Sequence, residues 1–378
     1  MDFEAVIGLE VHAQLTTKSK AFCSSSTQFG KGVNELCDPV TLGLPGALPV
    51  INRQLVEFAI MMGLATNCEI KKYNRFARKH YFYPDLPKGY QISQYEEPIC
   101  KRGHITVRMA DSVVRTIGIT RIHMEEDAGK NIHDSRSGTS LVDLNRAGVP
   151  LLEIVSEPDL RTPSEAASYL KTIRQILRYL EVCDGNMEEG SLRCDANVSV
   201  RPIGETKFGT RTELKNINSF KFVEKALEYE IARQISVIKN GGTISQETRL
   251  YDSQTGTTAS MRSKEESAEY RYFPDPDLPV LQINESWIES VRALMPILPE
   301  AARQKLIDTY GLSDYDAGIL TSERKFIDYF TKAFEVSSNA KAVSNWLTSE
   351  LFGFLNKEAM TFEQNKVCLL YTSPSPRD

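Results

Sequence analysis

The chain has 378 residues, of which 41% are hydrophobic and 25% are charged. This is the balance of an ordinary globular protein, and the length allows two or three domains of roughly 150 residues each. No apolar run reaches the roughly 18 residues that a membrane-spanning helix needs. Residues 1–4 carry neither a signal-peptide nor a transit-peptide pattern. We therefore predict a cytoplasmic protein that has no membrane partner.

The charges and the cysteines exclude further classes. A formal net charge of −5 disfavours a dedicated nucleic-acid-binding module, because affinity for phosphates comes mainly from Lys and Arg. The seven cysteines contain no Cys-x-x-Cys pair, so neither a disulfide framework nor a complete zinc site is predicted. Residues 71–80, however, hold five basic residues and no acid. Because Tyr-Phe-Tyr-Pro-Asp follows at 81–85, we interpret this run as a phosphate-facing element, with a solvated surface as the simpler alternative.

The first part of the chain, to about residue 279, predicts short strands, turns and a few helices. Residues 6–15 alternate between apolar and polar side chains, which is typical of a half-buried strand. Apolar residues at helical spacing predict a helix over 53–66. A second alternating strand is predicted over 117–125.

The same pattern of strands and helices continues further along the chain. A capping box with Pro at the first helical position begins a helix at 162 that runs to about 180. Alternation predicts strands over 192–201 and 211–215. A helix is predicted over 219–239, where Asn-Gly-Gly ends it.

After residue 283 the pattern changes to short amphipathic helices, predicted at 286–295, 299–310, 314–320, 324–334 and 340–355. The Pro-Asp-Pro-Asp-Leu-Pro run at 274–279 places a domain boundary near 280–290. We therefore predict an α+β protein in which an antiparallel-sheet domain, residues 1–285, precedes an all-α domain, residues 286–366. Residues 367–378 follow no element that they could cap and are predicted to be an artefactual or disordered tail.

Polar residues share one face on several predicted strands, because side chains two residues apart point the same way. The residues on these faces are Glu10 and His12, then Arg121, His123 and Glu125, then Asp195, and finally Glu213 and Lys215. Glu126 directly follows Glu125, so it points to the opposite face unless a bulge or turn re-aims it.

If these strands are neighbours in one sheet, their polar face combines carboxylates with cations. Carboxylate oxygens suit Mg²⁺, and interleaved Arg and Lys suit phosphate oxygens. Such a face would serve phosphoryl transfer, which depends on positioning and charge neutralisation. For a single strand the simpler interpretation is a half-solvated sheet, and the pattern leaves open whether the strands are neighbours. The sequence contains no phosphate-binding loop, dinucleotide fingerprint, zinc-protease motif or serine-hydrolase motif.

Four long motifs are specific enough to indicate a family. They are Val-Ile-Gly-Leu-Glu-Val-His at 6–12, Gly-Leu-Pro-Gly-Ala-Leu-Pro-Val at 43–50, Tyr-Phe-Tyr-Pro-Asp-Leu-Pro-Lys-Gly-Tyr-Gln-Ile-Ser at 81–93 and His-Met-Glu-Glu-Asp-Ala-Gly-Lys at 123–130. Shorter motifs continue over roughly residues 1–366, at 141–146, 187–197, 213–216, 271–274 and 344–347. With these motifs the chain resembles GatB, the family of B subunits of the aspartyl/glutamyl-tRNA amidotransferases.

This resemblance implies a cradle-shaped catalytic domain similar to glutamine synthetase over residues 1–285. It also implies part of a helical tRNA-binding domain over residues 286–366. Members of the family normally end in a further tail domain that helps to bind tRNA. The chain is therefore expected to be truncated at its C-terminus, with consequences for its affinity for tRNA.

The implied activity is that of an ATP-dependent carbon–nitrogen ligase. ATP, with Mg²⁺, phosphorylates the side-chain carboxylate of Asp on tRNA(Asn) or Glu on tRNA(Gln), and ammonia then displaces the phosphate. The implied partners are the misacylated tRNA and the A and C subunits of the same complex, the former being a glutaminase that releases the ammonia. Together the three proteins form a heterotrimer that serves protein biosynthesis.

The resemblance also implies roles for individual residues. Three residues resemble the Mg²⁺ ligands, namely Glu10, His12 and Glu125. Three further acids resemble groups of the ATP and metal site, namely Glu126, Asp195 and Glu213. Lys79 resembles the cation that contacts phosphate. As a ligand, His12 should be neutral, with its other ring nitrogen fixed by a partner, and His123 is expected to support the site without binding metal.

Many members of this family carry two cysteine pairs that bind zinc. Here Cys23 is followed by two serines and Cys37 by Asp-Pro-Val-Thr, so only two of the four ligands remain. A structural tetrahedral site needs four ligands, and we therefore predict that no zinc binds.

Two alternative functions stay open. The first is a stand-alone carboxylate–amine ligase that resembles glutamine synthetase and acts on a free amino acid. The second is a non-catalytic tRNA-binding scaffold that uses the helical domain, with the carboxylates as a merely solvated face. The preference between Glu-tRNA(Gln) and Asp-tRNA(Asn) is also open.

Overall fold

The computed structural model describes residues 2–109, 113–134, 138–261, 270–365 and 367. It is an α+β structure that divides into two compact units, Met1–Met295 and Pro296–Asp378. The strands of the first unit are β1 (Phe3–Gln14), β2 (Glu69–Ile70), β3 (Tyr73–Asn74), β4 (Ala77–His80), β5 (Tyr90–Ser93), β6 (Cys100–Arg108), β7 (Val114–Glu126), β8 (Lys130–Asp134), β9 (Thr139–Asp143), β10 (Pro150–Ser156), β11 (Leu192–Pro202), β12 (Thr212–Lys215), β13 (Glu247–Asp252), β14 (Thr257–Ser260), β15 (Phe273–Pro274) and β16 (Leu281–Gln282). Its helices are α1 (Arg53–Ala65), α2 (Pro163–Tyr179), α3 (Phe220–Lys239) and α4 (Glu285–Arg292).

Nine strands form the large sheet of the first unit, in the order β14-β13-β12-β11-β1-β10-β7-β6-β2. All neighbours are antiparallel except β12 and β13, which are parallel. The apolar residues of β1 lie on one face, where Ile7, Leu9 and Val11 are almost completely buried. The polar residues of the same strand lie on the other face, because side chains alternate along a strand. The four strands predicted from alternation all belong to this sheet.

The helices of the first unit begin and end where the sequence predicts. The Asn52 side chain caps α1, and the Thr162 side chain caps α2 by accepting a hydrogen bond from the Glu165 amide. The Ser219 side chain caps α3 in the same way. α3 ends before Gly241, whose φ of 76° is a conformation that a residue with a Cβ rarely adopts. The helices predicted over 53–66, 162–180 and 219–239 are therefore confirmed.

Within the part of the chain that the structure describes, three smaller sheets accompany the large sheet. Strands β15, β4 and β5 form a three-stranded sheet, and β5 packs against β7. This arrangement places β4, with part of the basic run at 71–80, beside the polar face of the large sheet. The remaining pairs are β16 with β3 and β8 with β9.

The second unit consists of helices in its described residues. These are α5 (Pro299–Tyr310), α6 (Asp314–Leu320), α7 (Arg324–Ser337), α8 (Ala340–Asn345), a π-helical turn (Trp346–Leu351), α9 (Phe352–Lys357) and a 3-10 turn (Phe362–Gln364). They enclose a core of their own that includes Leu320, Phe330 and Leu347, each of them fully buried.

The division between the two compact units falls between Met295 and Pro296, and the predicted domains of residues 1–285 and 286–366 stay a prediction. Helix α4 belongs to the first unit because it packs against α1. Trp287 Nε1 donates a hydrogen bond to Glu57 Oε1 over 3.2 Å, and the Arg53 guanidinium lies 5.5 Å from the Trp287 ring centroid. The proposed tail beyond residue 367 lies outside the described residues. Within the described residues, each helix is too short or too polar to cross a membrane.

One buried carboxylate links α3 to the edge of the large sheet. The fully buried Glu230 accepts hydrogen bonds from Arg233 Nη2 at 2.7 Å, Gln234 Nε2 at 3.0 Å and Thr258 Oγ1 at 3.0 Å. Arg249 Nε lies 3.4 Å from Glu230 Oε2. Breaking such a buried pair leaves a charge without compensation.

We expect Glu230→Gln to lower the free energy of unfolding of the first unit by about 3 kcal/mol, because Arg233 and Arg249 lose the buried Glu230 charge and keep only that of the more exposed Glu247. Urea unfolding followed by Trp287 fluorescence, in a Trp346→Phe background, measures this unit. The matched control is Glu228→Gln on the exposed side of α3, which should change the value by less than about 0.5 kcal/mol. Equal effects of both substitutions would contradict the assignment.

Candidate active site

Neighbouring strands bring the predicted polar residues together on one face of the large sheet. In the antiparallel register, Glu10 of β1 lies opposite Asp195 of β11, and His12 lies opposite Glu153 of β10. Glu153 in turn lies opposite His123 of β7. Residues directly opposite in adjacent strands point to the same face, so these side chains converge.

The Glu153 carboxylate lies at the centre of this group. Its Oε2 is 3.3 Å from His12 Nε2 and 3.3 Å from His123 Nε2, and its Oε1 is 3.6 Å from Arg121 Nη2. Burial alone would raise the pKa of Glu153, but the two imidazoles hold it well below its usual range. Burial alone would lower the pKa of His123, but the carboxylates of Glu153 and Glu125 raise it to about 9.

The alternation pattern does not indicate Glu153, although its position in an apolar strand is a signal. Glu153 is the only charged residue in β10, whose other residues are apolar apart from Ser156. A carboxylate in such a buried strand needs a partner, because burying an unpaired charge is very unfavourable. That requirement could have indicated a site residue, but the sequence does not show which partners β10 would meet.

Two groups of side chains among the described residues could hold a metal ion, and His12 belongs to both. In the first group the ligand atoms of Glu10, His12 and Asp195 lie within 4.8 Å of one another. In the second group the same holds for His12, Glu125 and Glu153. Carboxylate oxygens with one imidazole nitrogen suit Mg²⁺ or Mn²⁺. The donor chemistry therefore fits the predicted divalent cation.

Electrostatic repulsion within the group also favours a cation. Burial and the Glu153 carboxylate raise the pKa of Glu10, and Asp195 adds to the same effect. Burial would lower the pKa of His12, but the hydrogen bond with Glu153 and the charges of Glu153, Glu125 and Glu10 together raise it. A divalent ion would replace the proton that these groups share, because metal ligands must be deprotonated.

Two lysines lie beside the carboxylates. Lys215 pairs with Asp195, and its Nζ is 3.1 Å from Glu213 Oε1. Lys79 of β4 lies near Glu125, and its Nζ is 4.8 Å from the Tyr270 ring centroid. Burial would lower the pKa of Lys79, but the charge of Glu125, with smaller contributions from two tyrosines and Glu153, raises it. Both predicted residues, Lys79 and Glu213, therefore lie at this face, and both lysines remain cationic.

Glu126 is the predicted site residue that the structure does not bring into the group. Strand β7 remains regular at its end, so Glu126 points away from Glu125. Its carboxylate pairs with the buried Lys88 and accepts a hydrogen bond from the Ile92 amide at 3.0 Å. The structure thus separates Glu126 from the group, as alternation predicts, and its role at the nucleotide and metal site stays a prediction.

A cavity of about 420 Å³ adjoins one end of the polar face. Gln14, two residues after His12, donates a hydrogen bond to Asp127 Oδ2 at 2.6 Å, and Arg193 Nη2 donates to Asp127 Oδ1 at 2.9 Å. The volume lies in the range of about 300–1,000 Å³ that is typical of small-molecule sites. Its lining includes three cations, Lys31, Lys130 and Arg146, and three carboxylates, Asp143, Asp184 and Glu189.

The two cysteines that correspond to zinc ligands have other contacts. The Cys23 thiol donates to Asp38 Oδ2 at 2.9 Å, and burial together with this bond raises the pKa of Cys23 to about 11. The Cys37 sulfur lies 3.8 Å from Asn34 Oδ1. Zinc binds the thiolate form of cysteine, so a protonated Cys23 disfavours zinc binding. The absence of zinc stays a prediction.

The fold and the site together define an α+β domain whose sheet carries a face of carboxylates, imidazoles and lysines suited to a divalent cation and phosphates. Residues 5–289 match the GatB/GatE catalytic domain. The chain therefore belongs to the GatB/GatE family, and the resemblance predicted from its motifs is confirmed.

Relatives with high identity extend over most of the chain. It is 61% identical over 358 residues to the aspartyl/glutamyl-tRNA(Asn/Gln) amidotransferase B subunit of Thermodesulfovibrio yellowstonii, a match of 95% of the chain and 75% of that relative. The protein of the same name from Solidesulfovibrio magneticus is 57% identical, over 97% of the chain and 76% of the relative. The protein of the same name from Halorhodospira halophila is 54% identical, over 97% of the chain and 77% of the relative.

We expect Glu125→Gln and Glu126→Gln to affect different properties, metal affinity and stability respectively, although the residues are adjacent. Mutating a residue that hydrogen-bonds a metal ligand typically weakens metal binding about 10- to 100-fold. Removing the Glu125 carboxylate, a predicted ligand, should weaken Mn²⁺ binding at least as much. Glu126→Gln leaves Lys88 buried and unpaired, so it should cost about 3–5 kcal/mol of stability while the folded protein keeps its Mn²⁺ affinity.

Titration of free Mn²⁺ by electron paramagnetic resonance measures the affinity, and urea unfolding measures the stability. A loss of Mn²⁺ affinity in Glu126→Gln that equals the loss in Glu125→Gln would show that both side chains face the site.

Proposed function

We propose that this chain is the ATP-dependent component of a tRNA amidotransferase and that the polar face of the large sheet is its active site. The observation that carries this proposal is the convergence of two cation-binding groups on His12, beside Lys79 and Lys215. The names of the relatives add the substrate class, because they denote aspartyl/glutamyl-tRNA(Asn/Gln) amidotransferases.

The proposed reaction has two steps. The side-chain carboxylate oxygen of Glu on tRNA(Gln), or of Asp on tRNA(Asn), attacks the γ-phosphorus of ATP, and ADP leaves. Ammonia then attacks the carbonyl carbon of the acyl phosphate, loses a proton, and phosphate leaves to give the amide. Activation is necessary because an oxide is a very poor leaving group from a carboxylate.

The side chains divide this work between them. Glu10, His12, Glu125 and Asp195 would hold Mg²⁺, which supplies charge neutralisation at phosphate oxygens. Lys79 supplies a fixed positive charge next to Glu125, where negative charge moves during phosphoryl transfer. Lys215 pairs with both Asp195 and Glu213 and holds these carboxylates in place.

Glu153 is proposed to orient the two imidazoles. Its Oε2 lies 3.3 Å from a ring nitrogen of each histidine, and it is almost completely buried. A buried acceptor between two rings fixes their positions, and this precision matters where ligands must converge. His123 Nδ1 is buried without a hydrogen-bond partner among the described residues, which leaves this ring held from one side.

The surroundings of the site follow from the same proposal. The sheet of the first unit is the cradle that resembles glutamine synthetase, and the helical second unit takes part in tRNA binding. The A and C subunits complete a cytoplasmic heterotrimer, in which the former, a glutaminase, supplies ammonia. Lys130 and Arg146 in the lining of the 420 Å³ cavity offer partners for further phosphate groups, although carboxylates line the same cavity.

We expect ATP hydrolysis by the reconstituted complex to rise when misacylated Glu-tRNA(Gln) or Asp-tRNA(Asn) is added, because the carboxylate to be phosphorylated is carried by the tRNA. Free glutamate at the same concentration should have no effect. Stimulation by free glutamate would instead identify a stand-alone carboxylate–amine ligase. Unchanged transamidation by Glu125→Gln would identify a scaffold whose carboxylates do not act.

We expect Lys79→Met to lower kcat for transamidation about 100-fold, the usual effect of removing one group that stabilises developing charge. Lys79→Arg, which keeps the charge, should recover part of the rate. Lys72→Met is the matched control, because Lys72 lies in the same basic run with its side chain 63% exposed. A quench-flow measurement of phosphate release under single-turnover conditions isolates the chemical step. Equal losses in Lys72→Met and Lys79→Met would contradict the role of Lys79.

A further inference from the structure

Two tyrosines form a surface stack next to β4 and β15. The rings of Tyr95 and Tyr272 have centroids 4.2 Å apart and lie within 7° of parallel. Tyr95 is 54% exposed, so one face of the stack is open to solvent. An exposed, rigid aromatic face is a platform for another flat ring, because stacking needs no particular hydrogen-bond pattern.

A small cavity of about 190 Å³ opens beside this stack. It is smaller than the roughly 300–1,000 Å³ of sites that enclose a whole small-molecule ligand. Its size therefore suits a single ring system. Its lining is aromatic and charged, and includes Arg75, Phe76, Tyr95, Glu97, Tyr272 and Phe273.

The charges at the rim restrict which ring fits. Arg75 Nε lies 3.9 Å from Glu97 Oε2, and both side chains are about half exposed. Glu96 also lines the cavity. Carboxylates repel a phosphate and accept hydrogen bonds from an exocyclic amino group. Adenine offers such a donor at N6, and cytosine and guanine carry amino groups at N4 and N2, whereas uracil has none.

A chain of side chains connects this cavity to the active site. The Tyr272 and Tyr270 rings are 6.0 Å apart, and Lys79 Nζ lies 4.8 Å from the Tyr270 ring. The Tyr272 hydroxyl interacts electrostatically with Lys79 and Glu125. Tyr272 therefore lies beside the Lys79–Tyr270 pair, while its ring supports Tyr95 at the cavity.

We propose that the Tyr95–Tyr272 stack and its cavity receive the terminal adenine base of the aminoacylated RNA strand. This inference rests on the proposed function. In an aminoacyl-tRNA the amino acid is esterified to the ribose of the terminal adenosine. The base therefore belongs to the same nucleotide as the aminoacyl ester, so it must lie near the carboxylate that is phosphorylated. Unpaired RNA bases are commonly bound by stacking on aromatic rings.

ATP also carries adenine, so the experiment separates the two sources. An acceptor-stem RNA labelled at its 5′ end is titrated with the reconstituted complex, and fluorescence anisotropy gives Kd. One RNA ends in adenosine, and the other ends in an abasic ribose at the same position. The wild type should bind the abasic RNA about 5- to 100-fold more weakly, the size of one base–aromatic stack.

Tyr95→Ala should weaken binding of the adenosine-ended RNA by a similar factor and leave the abasic RNA unaffected. Tyr95→Trp, which keeps an aromatic platform, should retain the preference for adenosine. The matched control is Phe208→Ala, because Phe208 is a 57% exposed aromatic residue on the loop between β11 and β12, outside the cavity. It should bind both RNAs as the wild type does.

Three results would overturn the inference. They are equal binding of both RNAs by the wild type, equal weakening of both by Tyr95→Ala, and a raised KM for ATP in Tyr95→Ala with unchanged RNA affinity. The last result would assign the cavity to the adenine of ATP. The transamidation assay is a separate readout, so a complex that prefers adenosine-ended RNA but forms no amide would contradict only the proposed function.

Discussion

The pairing of β1 between β10 and β11 is the constraint on which the site depends. This register places His12 opposite Glu153 and Glu10 opposite Asp195. Because side chains alternate at every residue, a slip by one position would move Glu10 and His12 into the apolar layer. The burial of Ile7, Leu9 and Val11 on the other face excludes that slip. The hydrophobic core therefore fixes the geometry of the polar face.

Concentrating carboxylates on this face carries an electrostatic cost that the fold offsets with specific partners. The imidazoles of His12 and His123 compensate Glu153, and Lys215 compensates Asp195. Burial and the charges of Glu153 and Asp195 raise the pKa of Glu10 more than His12 and Lys215 lower it. A site with this remaining repulsion is suited to bind a divalent cation, because the ion relieves the repulsion that the protein's own cations leave.

The same β-strand serves stability and chemistry on its two faces. At the end of β7, Glu125 points to the polar face, whereas Glu126 pairs with the buried Lys88 and receives the Ile92 amide. The second carboxylate joins β7 to β5, the strand that positions β4 and Lys79. Tyr270 and Tyr272 then lie between Lys79 and the exposed Tyr95.

The sequence by itself determined the family, the main helices and four strands of the large sheet. It also showed which side chains share a face on these four strands. Alternation sorted Glu10, His12, Glu125 and Asp195 onto polar faces and already separated Glu126 from Glu125, because both follow from local backbone geometry. Only the tertiary structure decided that these faces adjoin, that Glu153 lies at their centre, and that Lys79 approaches from another sheet. It also assigned α4 to the first unit. Strand neighbours and packing across layers depend on contacts between residues far apart in the chain, and local patterns do not encode these contacts.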